Sequence, residues 1–446
     1  MKRVGVVLAV LLVLACTRRD APTASEPIAP SSVPPTTTAA TGEPTPTTTL
    51  PCAGASDAAT EAVPPAVTDA IAERVADPRF AGHDVSLSVW VKGWGEVVAH
   101  QPDLQLLPAS NQKLLTAMGA LEVLDGNSRF VTTVTTSEPV VDGVVEGDLV
   151  LVGGGDPTLR RAGAHSLAAL ARLVGANGIT TVRGSLLVDE TRFDTRREAD
   201  GWLDWQRPTY AGALSALVVD GNQSRSDAAF LADPATAAAE VFRRQLAAEG
   251  VAVAGPTAHV FQPAAGTEVA RLESAPFDAL VDDMLMHSDN MIAESLVKEI
   301  DVVRGGVGST AGGLRAIRAA LESRCIPVAG ADADGSGLSR ANRRASREWR
   351  QLLAAARMAP WADQLIAALP TGGRSGTLSG RLTSMSTAGN VRAKTGSIMP
   401  GRALSGYLTT VGGRDAVFSV VVNGRNPGPS QGAIDALITT VASARG

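Results

Sequence analysis

Three short polar stretches, far apart in the chain, constrain this sequence more than anything in its composition. Ser110 and Lys113 stand three residues apart within Pro108-Ala109-Ser110-Asn111-Gln112-Lys113, at the head of an apolar segment running to Leu124. At that spacing both side chains lie on one face of one helical turn. Ser288-Asp289-Asn290 occupies the joint between two helix-like segments, and Lys394-Thr395-Gly396-Ser397 ends an apolar strand-like one. A serine hydroxyl is a poor nucleophile until a base takes its proton, which an unprotonated lysine amine can do. Lys113 is neutral at working pH if burial and a nearby positive charge push its pKa down, and Lys394 is the expected source of that charge.

The remaining groups complete an acyl-transfer site. Asn290 can bridge Lys113 and an amide, and Ser288 can relay a proton to a leaving amine. Lys394, with the hydroxyls of Thr395 and Ser397, suits a terminal carboxylate. The peptide N–H groups of Ser110 and Ser397 are the expected oxyanion hole, because a helix start and a strand edge both present free donors. Each stretch also has an ordinary explanation: a serine N-cap, a polar turn capping the helix from Ile292, an edge-strand lysine. Three such coincidences in one order are a weaker account than one site. Lysine is also scarce. The 40 basic residues include only Lys2, Lys92, Lys113, Lys298 and Lys394, leaving 40 − 5 = 35 arginines, and two of the five lysines fall inside the stretches. Arginine cannot replace a lysine base, because it does not lose its proton.

With 446 residues, 45% hydrophobic and 19% charged, the chain can build a real core in two or three domains. A net charge of −5 gives no basic face for nucleic acid. The five histidines are scattered and the three cysteines lack zinc-site spacing, so neither metal nor cofactor is expected. Gly153-Gly154-Gly155-Asp156-Pro157 lacks the Gly-Lys-Ser/Thr of a phosphate loop and reads as a tight turn.

Met1-Lys2-Arg3 and the apolar run Val4 to Ala15 read as a signal peptide, too short for a usual spanning helix. Val13-Leu14-Ala15-Cys16 resembles a lipobox, which implies cleavage before Cys16 and lipidation of its sulfur; an ordinary signal peptide holding a cysteine is the alternative. Either way the expected location is outside the cytoplasmic membrane. Residues 17–64 are Thr- and Pro-rich and read as an extended tether, with a mucin-like stalk as rival. Cys52 and Cys325 then form an even pair in an oxidising compartment, and a disulfide between them is expected.

The folded part begins with a helix from Ala66, a hairpin over residues 85–100, and the buried helix opened at Ser110. Valine-rich strands, Gly turns and helices at 166–175 and 234–249 follow, the latter with Asp233 as N-cap and Pro234 at its first position. Helices at 277–286, 292–303, 311–323 and 349–357 precede three strands and a closing helix over 391–443. Helices on an antiparallel sheet to which both chain ends contribute make an α+β fold.

The ordered trio S-x-x-K, S-D-N and K-T-G occurs in penicillin-binding proteins and class A β-lactamases. Over residues 65 to 440 the chain resembles the D-alanyl-D-alanine carboxypeptidase/endopeptidase group of low-molecular-mass penicillin-binding proteins, serine peptidase family S13. Leu151–Leu159, Ser288–Glu294, Asp334-Gly-Ser-Gly-Leu-Ser-Arg340 and Gly376-Thr-Leu378 add to the likeness. The long interval 288 − 110 = 178 between the first two motifs is a family mark. It implies a catalytic domain of residues 65–127 plus 276–446, of the penicillin-recognising transpeptidase/β-lactamase-like fold, interrupted by an α/β insertion at 128–275. The resemblance further implies an acyl-enzyme on Ser110, Lys113 as base, and assistance from Ser288, Asn290 and Lys394, with Thr395, Gly396 and Ser397 binding substrate. The implied partners are peptidoglycan stem peptides, with β-lactams as covalent inhibitors and a membrane held through a lipid anchor or uncleaved signal. Ser397 stands where the family usually has threonine; the hydroxyl survives. A β-lactamase, or a non-catalytic wall-binding or β-lactam-sensing module, are the alternatives. Mass spectrometry of exported protein under non-reducing conditions is expected to find Cys52 and Cys325 joined; both as free thiols would contradict the pairing.

Overall fold

The computed structural model describes residues 58–207, 209–222 and 232–446. The leader, Cys16, most of the tether and Cys52 lie outside them; Cys325 is disulfide-bonded. The chain enters through α1 (Pro65–Val75), whose first-turn proline fits because its missing N–H has no helical partner there. The alternating run that follows becomes β1 (Asp84–Val91), turning through Gly93 and Gly95, both at positive φ, into β2 (Gly95–His100). A single 3-10 turn, Ala109–Asn111, then leads into α2 (Gln112–Val123).

The middle of the chain forms β3 (Val131–Thr136), β4 (Val140–Val141), β5 (Val144–Val145), β6 (Leu149–Val152), α3 (Leu167–Ala176), β7 (Thr181–Val182), β8 (Leu186–Asp189), α4 (Pro234–Ala248), β9 (Ala252–Val253), β10 (Thr257–His259) and β11 (Thr267–Glu273). Ser166 and Asp233 cap α3 and α4 by accepting from Ala169 N and Thr236 N, each at 3.1 Å. The glycines before Asp156 are not the tight turn expected, which falls instead at Pro157–Thr158. They run on from β6, with Gly153 N donating to Asp189 O and Gly155 N to Ala216 O (both 2.8 Å), and they pack so closely that a Cβ on Gly154 would lie 2.0 Å from the Val131 carbonyl oxygen. The chain then continues through α5 (Phe277–His287), α6 (Asn290–Val303), α7 (Thr310–Ser323), α8 (Ser346–Ala356), α9 (Ala362–Ala368), β12 (Arg392–Ile398), β13 (Gly401–Thr409), β14 (Asp415–Asn423) and α10 (Ser430–Ala442).

The main sheet has the order β12-β13-β14-β1-β2 and is antiparallel throughout, so the N-terminal hairpin completes a sheet begun by the C-terminal strands. Strand periodicity divides its side chains between two cores. Leu404, Phe418, Val420 and Val422 join α1 and α10 on one side. Ala403, Tyr407, Val417 and Val421 join α2, α5, α6 and α8 on the other. Two further sheets, β10-β8-β6-β3-β11 and β4-β5-β7-β9, use only residues between 131 and 273 and have their own apolar cluster with α3 and α4. Sequence periodicity missed the short strands β4, β5, β7, β9 and β10, which are too brief to show a period, and two longer elements. β11 is a charged edge strand, the kind that polar side chains protect from further pairing, and α9 has only seven residues.

α6 and α7 touch through glycine. A Cβ on Gly313 would lie 1.9 Å from the Val297 carbonyl oxygen. In an open helix Gly→Ala gains about 1 kcal/mol from propensity. Here overpacking, about 1–3 kcal/mol, runs the other way. Gly313→Ala is therefore expected to lower the thermal midpoint; a raised midpoint would show that the helices separate freely.

Candidate active site

The site forms where the 3-10 turn before α2 meets the joint between α5 and α6 and the edge strand β12. Ser110, Ser288, Asn290, Thr395 and Ser397 line one cleft of about 240 Å³. The three separated stretches therefore converge. The turn carrying Ser110 is held from both sides. Asn423 accepts from Leu107 N through Oδ1 (2.8 Å) and donates to Leu107 O through Nδ2 (3.1 Å). Asn111 Nδ2 donates to Ser405 Oγ (2.6 Å), which is 2.7 Å from Ser419 Oγ in the next strand. Ala109 is held at φ +49°, a costly conformation for a residue with a Cβ, so the surrounding contacts must impose it. Gly396 has a spatial reason to be glycine: a Cβ there would sit 2.9 Å from Pro108 O, in the path of the Ser110 turn.

Ser288 ends α5 in the left-handed region at φ +62°, and Asp289 caps α6 by accepting from Ile292 N (2.9 Å). The stretch divides its residues between the helix and the cleft. Asp289 caps, while Ser288 and Asn290 reach the cleft. His287 is exposed and bonded to Asp283 (2.6 Å).

Lys113 is fully buried in α2. Its Nζ lies 2.6 Å from Asn290 Oδ1, 2.6 Å from Ser336 O and 3.3 Å from Ser110 Oγ. A neutral amine has two N–H groups and one lone pair. Two short contacts to acceptors occupy the N–H groups, which leaves the lone pair for the Ser110 hydroxyl proton. Burial pushes Lys113 down to about 8, against the pull of the Asp334, Asp289 and Glu294 carboxylates. This corrects the expectation from sequence, in which Lys394 shared that role. The repulsion falls on Lys394 instead: it is fully buried too, and burial followed by the Lys113 charge hold it well below the ordinary lysine range. Lys394 Nζ contacts Ser288 Oγ and Thr395 O, both at 2.9 Å.

Several residues went unseen in the sequence. Asp334–Arg340 reads there as a turn-rich loop; in the structure it is a buried wedge behind Ser110. Asp334 accepts from Gly337 N (2.8 Å), Ser339 N (2.7 Å), Asn342 Nδ2 (2.7 Å) and Trp202 Nε1 (2.9 Å). Gly337 and Leu338 line the cleft. Gly337 is at φ +88° and a Cβ would lie 1.9 Å from Ala109 O, so the wedge requires glycine here. Thr377 lines the cleft and accepts from Thr395 Oγ1 (2.8 Å). Tyr210 enters from the middle of the chain: its carbonyl accepts from Asn290 Nδ2 (2.8 Å), which turns Oδ1 toward Lys113. Its exposed ring meets Trp205 edge-on at 5.9 Å. No local pattern marks a backbone carbonyl as a site group; the only sequence signal was the likeness at 334–340 and 376–378. A larger cavity, about 330 Å³, lies among Asp194, Glu198, Arg315 and Asp332 and shares no lining residue with the cleft. Among the described residues, no group of three or more His, Cys, Asp or Glu converges as a metal site.

An antiparallel sheet with helices on both faces, bearing a serine and a buried lysine on one turn and a second buried lysine on the edge strand, is the architecture of penicillin-recognising serine enzymes. The chain belongs to the D-Ala-D-Ala carboxypeptidase 3 (S13) family, whose model matches residues 67–230 and 223–444. It is 33% identical over 461 residues to a D-alanyl-D-alanine carboxypeptidase of Actinomadura sp. (strain R39), covering 85% of this chain and 84% of that one. The crystal structure of penicillin binding protein 4 from Haemophilus influenzae matches with a TM-score of 0.74 at 22% identity, covering 83% of this chain and 97% of that chain. The same protein complexed with a β-lactam matches at 0.70 and 21%, with the same coverage.

The reaction of Ser110 with an activated ester is expected to quicken as pH rises through about 8, because the fraction of neutral Lys113 grows in that direction. Since burial is the chief cause, Lys394→Gln is expected to keep that midpoint. A midpoint displaced upward in Lys394→Gln would restore Lys394 as the cause.

Proposed function

We propose that this chain is a serine-type D-Ala-D-Ala carboxypeptidase acting on peptidoglycan stem peptides through an acyl-enzyme on Ser110. The observation that carries this reading is the 3.3 Å approach of Ser110 Oγ to a buried Lys113 amine whose two N–H groups already have acceptors. Family membership supplies the substrate class. In this reading Ser110 Oγ attacks the carbonyl carbon of the D-Ala-D-Ala peptide bond while its proton passes to Lys113. The N–H groups of Ser110 and Ser397 hold the developing oxyanion. The tetrahedral intermediate collapses, the C–N bond breaks, and Ser288 passes a proton to the departing amine of D-Ala while the proton taken up by Lys113 replaces it, so that both groups return to their starting states. Water then hydrolyses the ester and frees Ser110.

Lys394, Thr395 and Ser397 receive the terminal carboxylate, with Gly396 giving the strand its clearance. A carboxylate beside Lys394 supplies the opposite charge that the empty pocket lacks and so favours the protonated ammonium. A β-lactam presents an amide and a carboxylate to the same groups, which supports covalent inhibition. Cleavage of D-Ala cross-links, as an endopeptidase, uses the same chemistry on a bulkier leaving group.

Export follows from the leader, with Cys16 as the lipidated anchor, residues 17–64 as the tether and Cys52–Cys325 as the disulfide. That places the catalytic body outside the cytoplasmic membrane, facing the wall. Residues 128–275 act as an insertion that reaches back to the site through Tyr210.

Purified protein is expected to release D-Ala from a stem pentapeptide and to take a fluorescent penicillin label. Ser110→Ala should lose both by more than about 10³-fold, the order seen when a nucleophile is removed. Lys394→Gln should instead raise KM for the pentapeptide. Wild-type protein that does neither reaction would sink the proposal, and rapid penicillin turnover without D-Ala release would replace it with a β-lactamase.

A further inference from the structure

Glu294 lies on α6, one turn beyond Asn290, and is fully buried. It does not line the cleft. Its Oε1 accepts from two successive peptide N–H groups of the wedge, Gly335 N (3.1 Å) and Ser336 N (2.8 Å). Its Oε2 is buried with no hydrogen-bond partner among the described residues. Toward α2, the Gly335 carbonyl, which shares its peptide with the Ser336 N–H, accepts from Thr116 Oγ1 (2.8 Å). The Ser336 carbonyl, in the next peptide, whose Gly337 N–H is held by Asp334 Oδ1 (2.8 Å), contacts Lys113 Nζ (2.6 Å). The wedge sits tightly: a Cβ on Gly335 would lie 2.6 Å from Val297 Cγ2 of α6.

The geometry assigns Glu294 as a positioning residue for the Ser110 reaction: by gripping the Gly335 and Ser336 N–H groups it fixes the backbone that leads into the Ser336 carbonyl, whose own peptide N–H Asp334 holds, and so sets that carbonyl against Lys113 and aims the Lys113 lone pair at Ser110. This rests on Lys113 being the base. The direction matters because a neutral amine is a base only along its lone pair. Asn290 Oδ1 alone fixes one N–H and leaves rotation about that bond; the Ser336 carbonyl removes it. A carboxylate does this better than an amide, since hydrogen bonds to a charged acceptor are roughly twice as strong as neutral ones.

A buried carboxylate with one bare oxygen is an expensive way to hold a loop. Burial, then the neighbouring Asp334 charge, push Glu294 up to about 7. Among the described charged groups, Asp334 from the wedge acts on both Glu294 and Lys113, while Asp289 from the head of α6 and Glu294 itself act on Lys113. Lys394 from β12 faces Lys113 across the cleft wall. Ionised Glu294 also favours the protonated form of Lys113, so its removal has a sign that can be read.

The test compares penicillin acylation rates against pH for wild type, Glu294→Gln, Glu294→Ala and Lys113→Ala, each checked by thermal melting. Glu294→Gln keeps an oxygen for both N–H groups but loses the charge. It is expected to acylate within about tenfold of wild type, with the alkaline rise displaced to lower pH. Glu294→Ala frees the wedge and is expected to lose about hundredfold in rate, the scale of a small misplacement at a reacting centre. A Glu294→Gln profile superimposed on wild type overturns the assignment, as does a folded Glu294→Ala with an unchanged rate. Lys113→Ala labelled at the wild-type rate would instead remove the base itself, a distinct failure.

Discussion

An amine with no carboxylate in contact, sealed inside a helix, is the constraint on which the rest of this molecule depends. Moving a full charge into such a place costs several kcal/mol, so Lys113 stays basic enough to act yet neutral enough to accept a proton. Everything around it serves that condition. The apolar faces of α5, α6 and α7 surround α2 and exclude water. The acidic groups at Asp289, Glu294 and Asp334 keep the pKa from falling further. The main sheet anchors the turn that presents Ser110. Loss of any of these would change the proton affinity of the amine or the direction from which it acts.

The middle segment is tied into this arrangement more closely than its separate sheets suggest. Trp202, Ala211, Leu214 and Val218 form an apolar seam with Leu107, Ala109, Leu338 and Ile398. Farther along α6, Lys298 pairs with Asp194, and Arg192 with Glu299. Lys298, another of the five lysines, is therefore a fastener between the middle segment and the helix that carries Asn290. The segment is stitched to α6 along its length, and through Tyr210 it takes part in the site's polar network.

Much of this was legible in the sequence, and the division has a physical basis. Apolar periodicity located the long helices and β1, β12, β13 and β14 because each buries a continuous face. The motif residues were legible because their chemistry is carried by side chains at fixed local spacing. What stayed hidden depends on non-local geometry. Asp334–Arg340 has the composition of an exposed turn, and only its contacts to Trp202, Asn342 and Lys113 make it interior. The sequence offered two causes for a depressed Lys113, burial and the Lys394 charge; burial acts on it first, and burial is a property of the fold.

Two of the contacts that orient the polar groups come from main-chain carbonyls, those of Ser336 and Tyr210. Replacing either side chain leaves the carbonyl in place. An alanine scan would therefore leave the Tyr210 carbonyl on Asn290 while removing the ring that lines the cleft, and at Ser336 it would remove the hydroxyl and its bond to Asp334. Part of the catalytic information is stored in the route of the backbone, where drift in residue identity does not erase it.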